Sequence, residues 1–436
     1  MEIILNYYND SVCREHIKSN IKMLEIFSDE KCDYAKNDLG SRSAKNDYII
    51  KKIEAVAKKN GMEDLVEITG IDEVNIPAFS VAHQFKYDDI ISFNSGKGVT
   101  KEQARMSALM EFVERRSAVM HSATNINMSY NNFPDNVKAS IVRPSSLVTY
   151  YTDFVADSME LNWSPVVNII NGSMALCPTI AVLFRYCDKE AIFANNSNGL
   201  SSGITYHEAI VQGIYEVIER DSVSIAFAGG EIEDVEIESI TSECCMKLIE
   251  EFESNGIKIC IKYVKNDFGI PCFMVSGNDT KRKSPLLLSG GFGCHAKKEV
   301  ALTRALTELA QTRKVIIEAK REDVASMRPG GDTEKEYERI LETHKKWYYG
   351  QDEIINYEDI GEHTFHDLTE ELKWLVDSIK EKGYDIYVAN LSIMDEEYVV
   401  PVVRVIIPGF ENWYHDKKRV GIRLYNKALS KQLSYA

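Results

Sequence analysis

No stretch of the chain reaches the roughly 18–20 unbroken apolar residues of a membrane-spanning helix, which excludes a helical membrane protein. Basic residues are too few for a general nucleic-acid binder: 51 Lys and Arg stand against 67 Asp and Glu, a formal net charge of −16. Neutralising phosphates would need a basic footprint, so neither nucleic acid nor membrane is an expected partner. The N-terminus, MEIILNYYND, lacks a basic region, a long apolar core and a small-residue cleavage site, so no secretory signal is expected. The nine cysteines are odd in number, scattered and without a CxxC pair, only Cys244 and Cys245 being adjacent. That excludes a disulfide framework and a structural zinc site, and it fits reduced thiols in the cytoplasm. What is present is ample material for a packed interior: 44% hydrophobic residues and 10% aromatics over 436 positions. This length exceeds what one core usually holds, so two subdomains or one elaborated domain are expected.

Residues 1–63 read as a polar, helical N-terminal region. Ile17, Ile21, Leu24 and Ile26 lie at roughly helical spacing, and a second helix is predicted from Asn46 to Lys59, ended by Asn60-Gly61. From residue 64 to 436 the texture changes to short β-rich runs interleaved with helices. Later strands are predicted at 166–170, 175–184, 257–264, 272–276, 286–288, 384–389 and 399–407, with helices at 243–254, 333–346 and 368–382. The interleaving lacks strict βαβ regularity, so the fold class is α/β in the mixed α+β sense. Residues 343–362 read as a polar, mobile excursion.

The informative feature is an internal repeat. The first copy runs Gly98, Thr100, Ala104, Ser107, Glu111, Glu114, Arg115, Ser117. A shift of 105 residues gives Gly203, Thr205, Ala209, Gln212, Glu216, Glu219, Arg220, Ser222, and a shift of 197 gives Ala301, Arg304, Glu308, Gln311. On a helix, Ser107, Glu111 and Glu114 fall on one stripe, as do Gln212, Glu216 and Glu219, and Arg304, Glu308 and Gln311. Apolar residues wrap the rest of each helix, which places the helices in an interior instead of on a solvated face.

A buried carboxylate costs several kcal/mol unless it is paired or binds a cation, by an order-of-magnitude argument. Arg115, Arg220 and Arg304 are candidate partners. Five carboxylates and one amide without His or Cys favour Mg²⁺ over zinc, and Mg²⁺ is commonly completed by substrate phosphates. The turns Asn94-Ser-Gly-Lys-Gly98 and Asn198-Gly-Leu-Ser-Ser-Gly203 would let backbone N–H groups approach phosphate, with Lys97 as a mobile positive charge. They are not Walker A loops, since position 91 is Ile where that motif has glycine. Gly291-x-Gly293-x2-Ala296 is too short a match to be a dinucleotide fingerprint.

At these residues the sequence resembles the YcaO family. The segments that carry the resemblance are SGKGVTKEQARMSALMEFVER, NSNGLSSGITYHEAIVQGIYEVIERDS, ALTRALTELAQTR and PVVRVIIPGFE. The resemblance implies a fold in which the repeated helices form a Mg-ATP site, and an activity that activates a peptide-backbone amide by phosphorylating its oxygen. It implies metal ligation by Glu111, Glu114, Glu216, Glu219 and Gln311, with Glu308 in the third helix's ligand set. Lys97, Ser107, Glu208, Gln212 and Arg304 would bind the nucleotide, and Arg115, Arg220 and Arg404 would act on its phosphates. Ile204 departs from the family, which often has Asn there. The resemblance is closest to stand-alone, thioamide-forming members such as those of methanogens, which make thioglycine in methyl-coenzyme M reductase. It implies a peptide or protein substrate, sulfide or a sulfur-donating protein (a TfuA-like partner) and a homodimer. The chain ends in KALSKQLSYA instead of a proline-rich PxPxP tail, which leans the same way. The alternatives are an azoline-forming cyclodehydratase acting on Cys, Ser or Thr of a precursor peptide with a partner, and a non-catalytic nucleotide-binding accessory protein.

Other conspicuous residues read as structural. Cys294 and His295 are neighbours in a strand and point to opposite faces. His363 and His366 read as surface, Cys244-Cys245 as partly core, and Glu411 as a turn residue or a substrate contact.

Overall fold

Threonine, serine and aspartate caps mark where several helices begin. Thr205 accepts from the Glu208 amide, Ser242 from Cys245 and Asp367 from Glu370. The computed structural model describes residues 10–29, 31–34, 47–84, 91–186, 191–319, 333–350, 353–394 and 399–434. Asn46 and the first nine residues of the N-terminal reading lie outside these. In chain order the main elements are α1 (Ser11–Asp29), α2 (Asp47–Lys59), β1 (Met62–Glu67), β2 (Ala78–Gln84), β3 (Ile91–Lys97) and α3 (Lys101–Met120). Then come β4 (Leu161–Asn168), β5 (Ser173–Pro178), β6 (Leu200–Ser202), α4 (Tyr206–Phe227), β7 (Ile232–Val235) and α5 (Glu243–Ser254). They are followed by β8 (Ile257–Val264), β9 (Cys272–Asp279), β10 (Ser289–Cys294), α6 (Lys298–Ala319), α7 (Leu368–Glu381), β11 (Tyr387–Asn390), β12 (Val402–Ile406) and α8 (Ile422–Ser434). This mixture of helices and largely antiparallel sheets is the mixed α/β class expected.

The chain divides into two compact units, one of residues 1–56, 113–229 and 365–436, the other of 57–112 and 230–364; α3 contributes to both. In the first unit β4, β11, β12 and β6 form an antiparallel sheet in that order, with β5 and the short strand Asn127–Met128 on β4. Helix α4 lies on β6 and β12, and α7 packs on α4. The α7 carboxylate of Glu371 is fully buried and accepts from Tyr215 (2.6 Å) on α4 and from Tyr34 (2.8 Å). In the second unit β1–β2–β3 is an antiparallel meander. A second sheet runs β10–β9–β8–β7 with Ile354–Ile355 at its edge, parallel to β7. Helix α6 covers β10 and β9 over a core that includes Phe252, Phe273, Val275, Leu306 and Leu309.

Several sequence expectations differ from the structure. The described residues of 343–362 are not a loose excursion: they contain the helix Lys345–Tyr349 and the sheet-edge strand, and Tyr357 and Ile360 are core residues. The strand predicted at 286–288 is a 3-10 turn, Pro285–Leu287, because proline fixes φ and lacks the N–H a ladder needs; β10 starts after it. The strand predicted to run to 184 stops at Pro178, where one helical turn, Thr179–Val182, begins.

The repeat is a repeated strand–turn–helix unit: β3–α3, β6–α4 and β10–α6. Asn94 to Lys97 therefore lie in a strand, not in a phosphate-cradling turn. Their glycine has a packing reason. A Cβ on Gly96 would stand 2.0 Å from the Ala108 nitrogen, and one on Gly293 2.0 Å from the Ala301 oxygen, so in both copies the helix backbone rests on the strand. The second copy has Ser201 on the strand, and the space is recovered from the helix, where Gly213 replaces the alanine. The Ser201 hydroxyl then donates to the Ala209 carbonyl (2.7 Å).

Candidate active site

Helix α4 shows how the repeat exposes its polar stripe. Between Tyr206 and Ser224 every residue is buried except Glu216, Glu219 and Arg220. On α3, Ser107, Glu111, Glu114 and Arg115 are half-buried beside fully buried Ala108, Leu109, Phe112 and Val113. On α6, Arg304, Glu308 and Gln311 are half-buried beside Ala305, Leu306, Leu309 and Ala310. The carboxylates are thus rooted in an apolar interior and open at their tips, instead of being enclosed as the sequence pattern suggested. Gln212, one turn before Glu216, is buried.

In the first unit, Arg220 donates from Nε and Nη2 to Glu216, both at 3.0 Å, and Ser202 donates to Glu114 at 3.2 Å. Arg115 lies over the Phe184 ring, 5.8 Å from its centroid. Glu208 is buried and accepts weakly from the Ile204 amide (3.4 Å), so it also caps α4. Arg404, on β12, is 3% exposed. Its Nε donates to the Ala181 carbonyl (3.0 Å) and its Nη2 to the Asn196 carbonyl (2.8 Å), while Nη1 is buried with no partner. Burial pushes this guanidinium down to about 10, against the opposing pull of Glu216 and Glu114, so it stays charged at neutral pH. The buried Oδ1 atoms of Asn195 and Asn198, in the loop that holds Arg404, also lack partners. The sequence pointed to Asn198 as the start of a glycine-rich turn and did not single out Asn195 and Asn196, although the run NNSN before Gly199 was a visible signal.

In the second unit, Lys97 ends β3 in an ion pair with Glu308 on α6. It is not the mobile charge expected, because the strand delivers it directly to that carboxylate. Gln311 donates its amide N–H to the Ser95 carbonyl, which fixes the side chain and leaves Oε1 as the acceptor available to a cation.

Among the described residues, no group of three or more His, Cys, Asp or Glu side chains stands close enough together to hold a metal ion. The carboxylates Glu114, Glu216 and Glu308 accept from Ser202, Arg220 and Lys97, so an entering cation would exchange one partner for another. Each unit's donors fit the groups expected from the sequence. The first offers hard carboxylate oxygens for Mg²⁺ and an unpartnered guanidinium N–H on a buried Arg404 for a phosphate oxygen, and the second offers carboxylate oxygens and an oriented amide oxygen.

The remaining motifs are structural. His295 Nδ1 accepts from the Lys297 amide (3.0 Å) while Cys294 is buried. His363 and His366 are exposed, and Cys245 is in the second unit's core. Fully buried Glu411 accepts from the amides of Gly421 and Leu424, both at 3.0 Å, and so caps α8. Gly291 and Gly293 belong to β10 and seat α6. The eight described cysteines are free, and no helix among the described residues is long and apolar enough to cross a membrane.

Comparison with known proteins agrees with this geometry. Residues 95–411 match the family model described as YcaO cyclodehydratase, ATP- and Mg²⁺-binding. That description bears out the cofactors expected from the sequence. An uncharacterized protein of Methanothermobacter thermautotrophicus is 32% identical over 374 residues, covering 84% of this chain and 93% of the relative. A protein in the tfuA 3′ region of Rhizobium leguminosarum bv. trifolii is 27% identical over 59% of this chain and 62% of its own. The structure of YcaO from Methanopyrus kandleri, bound with AMPPCP and Mg²⁺, superposes with a TM-score of 0.72 at 24% identity, covering 89% of this chain and 98% of that one.

Proposed function

The chain belongs to the YcaO family, and on that footing we propose that it is an ATP- and Mg²⁺-dependent enzyme that converts a peptide-backbone amide to a thioamide. ATP supplies the phosphoryl group that turns the amide oxygen into a leaving group; sulfide then adds to the carbonyl carbon, and ADP and phosphate depart. The chain's own residues position and neutralise. Glu111, Glu114, Glu216, Glu219, Glu308 and the Gln311 Oε1 hold Mg²⁺. Lys97, Ser107, Glu208, Gln212 and Arg304 hold the nucleotide. Arg115, Arg220 and Arg404 meet the phosphate charge, since phosphoryl transfer needs chiefly positioning and electrostatic stabilisation. The observation that carries the nucleotide reading is the buried Arg404 guanidinium with one N–H unmet.

One of the compared proteins supports sulfur chemistry, the relative whose description places it in the tfuA 3′ region. The substrate is a peptide or protein, with methyl-coenzyme M reductase a candidate. The sulfur donor is sulfide or a TfuA-like protein, the working form is a homodimer, and residues 1–63 form an N-terminal region ahead of the YcaO domain at 64–436. The second reading is azoline formation, which the family description as a cyclodehydratase favours. Incubating the protein with a candidate peptide, ATP, Mg²⁺ and sulfide separates the two by product mass. Exchange of oxygen for sulfur supports thioamidation, and loss of one water supports the azoline. ATP binding without either product, across peptides and sulfur donors, would leave an accessory protein.

A further inference from the structure

A second recognition feature sits two helical turns beyond Arg220. The Lys417 ammonium lies 3.9 Å from the Trp413 ring centroid, 5.0 Å from that of Tyr414 and 5.4 Å from that of Phe227. Phe227 and Tyr414 stack on each other with centroids 4.8 Å apart. Among the described residues this ammonium makes no hydrogen bond and no ion pair; its contacts are the three rings. A cation facing several aromatic rings is the arrangement by which proteins recognise ammonium groups.

The walls of this cage are fixed and its occupant is not. The Glu411 amide donates to Asp221 (2.9 Å) and the Tyr414 amide to Ser224 (3.2 Å), which clamp the 411–414 segment onto α4. Beyond Lys417, Arg419 donates to the Val148 carbonyl (2.6 Å), and Asp416 is held by the Tyr150 hydroxyl (2.6 Å). Lys417 enters the cage only through a flexible four-carbon stem, and burial pushes its pKa down, so the site costs its own occupant hydration.

We propose that Phe227, Trp413 and Tyr414 form a binding site for a lysine or arginine side chain of the peptide substrate, and that Lys417 closes it until that side chain displaces it. This rests on the peptide-modifying reading above. A cationic occupant suits a chain of net charge −16. Phe227 follows Arg220 by two turns of α4, so both lie on one stripe about 10 Å apart. An extended peptide rises about 3.3 Å per residue, which places the recognised cation about three residues from the amide near Arg220.

The test is a calorimetric titration of wild type, Lys417→Ala and Lys417→Ala/Trp413→Ala with N-acetyl-lysine methylamide and its uncharged norleucine isostere. Removing the tethered competitor should tighten the lysine probe roughly tenfold in Lys417→Ala. The norleucine probe should bind neither protein, and the double variant should lose the gain. Trp413→Phe in the Lys417→Ala background should retain it, which separates loss of the cage from misfolding. Equal binding of the two probes, or no gain on removing Lys417, overturns the proposal. Neither ATP nor turnover is needed, so the result stands apart from the thioamidation test.

Discussion

Replacing Arg404 with methionine tests the site where its geometry is most specific. Methionine keeps much of the length of the side chain and removes every donor. Two bonds to backbone carbonyls disappear, at Ala181 and Asn196, and hydrogen bonds from a charged donor contribute about 1.5–3 kcal/mol each. The variant also no longer holds a cation in a desolvated position, which offsets that loss. The net change in stability should therefore stay within about 2 kcal/mol, a shift of several degrees at most in thermal denaturation. Nucleotide affinity should respond differently. If the unpartnered Nη1 is reserved for a phosphate oxygen, its loss removes one charge-assisted bond, again about 1.5–3 kcal/mol, or about 10- to 100-fold in Kd. Calorimetric titration with Mg-ATP, run beside a denaturation curve on each protein, separates the two effects. A folded Arg404→Met protein that binds Mg-ATP with wild-type affinity would refute the assignment and leave Nη1 a buried donor that costs stability without a function.

Mg²⁺-dependent ATP binding should likewise be lost in Glu111→Ala/Glu219→Ala, and binding unchanged by the pair would return the repeat to salt-bridged helices. Gly293→Ala should destabilise the protein by about 1–3 kcal/mol or more, since its Cβ would meet the Ala301 carbonyl at 2.0 Å and α6 must move off β10; an unchanged thermal midpoint would contradict this. Burial, helped by His121 with its ring centroid 5.8 Å away and opposed by Asp10, holds the His16 imidazole at about 4, below its ordinary 6.5. The unfolded chain therefore takes up a proton between those values that the folded chain refuses. This contribution is complete above pH 6.5 and declines as pH falls toward 4, so urea midpoints at pH 7.5 and 5 should differ less in His16→Gln than in wild type.

How much of this was legible in the sequence follows from what each signal encodes. The stripes Glu111–Glu114, Glu216–Glu219 and Glu308–Gln311 were readable because helical periodicity is local, and on α4 the burial pattern leaves just that stripe open. Arg404 was found through resemblance alone. Its partners, Ala181 and Asn196, are more than 200 residues away and are backbone carbonyls, which no side-chain pattern records. The turns were misjudged for a related reason. Glycine in the turn before α3 was read as room for a phosphate, whereas Gly96 makes room for the helix itself. Lys97 was misread with them, since a lysine placed in a flexible turn has no predetermined partner, but one at the end of β3 meets Glu308.

The second copy shows why sequence identity between the repeats understates their structural equivalence. At the strand–helix crossing the first and third copies pair a strand glycine with a helix alanine, Gly96 with Ala108 and Gly293 with Ala305. The second pairs Ser201 with Gly213. Either arrangement leaves the backbones close enough to touch, so what is retained is the summed size of the two side chains, not the residue at either position. A single change to one partner should therefore be costly and its compensating change partly restorative: Gly213→Ala would drive a methyl group to 2.6 Å from both the Ser201 Oγ and the Val405 Cγ2, so Ser201→Gly in the same chain should recover the part of the stability lost against the serine and leave the part lost against Val405. If the double variant is as unstable as Gly213→Ala alone, complementary size is not what the three copies share.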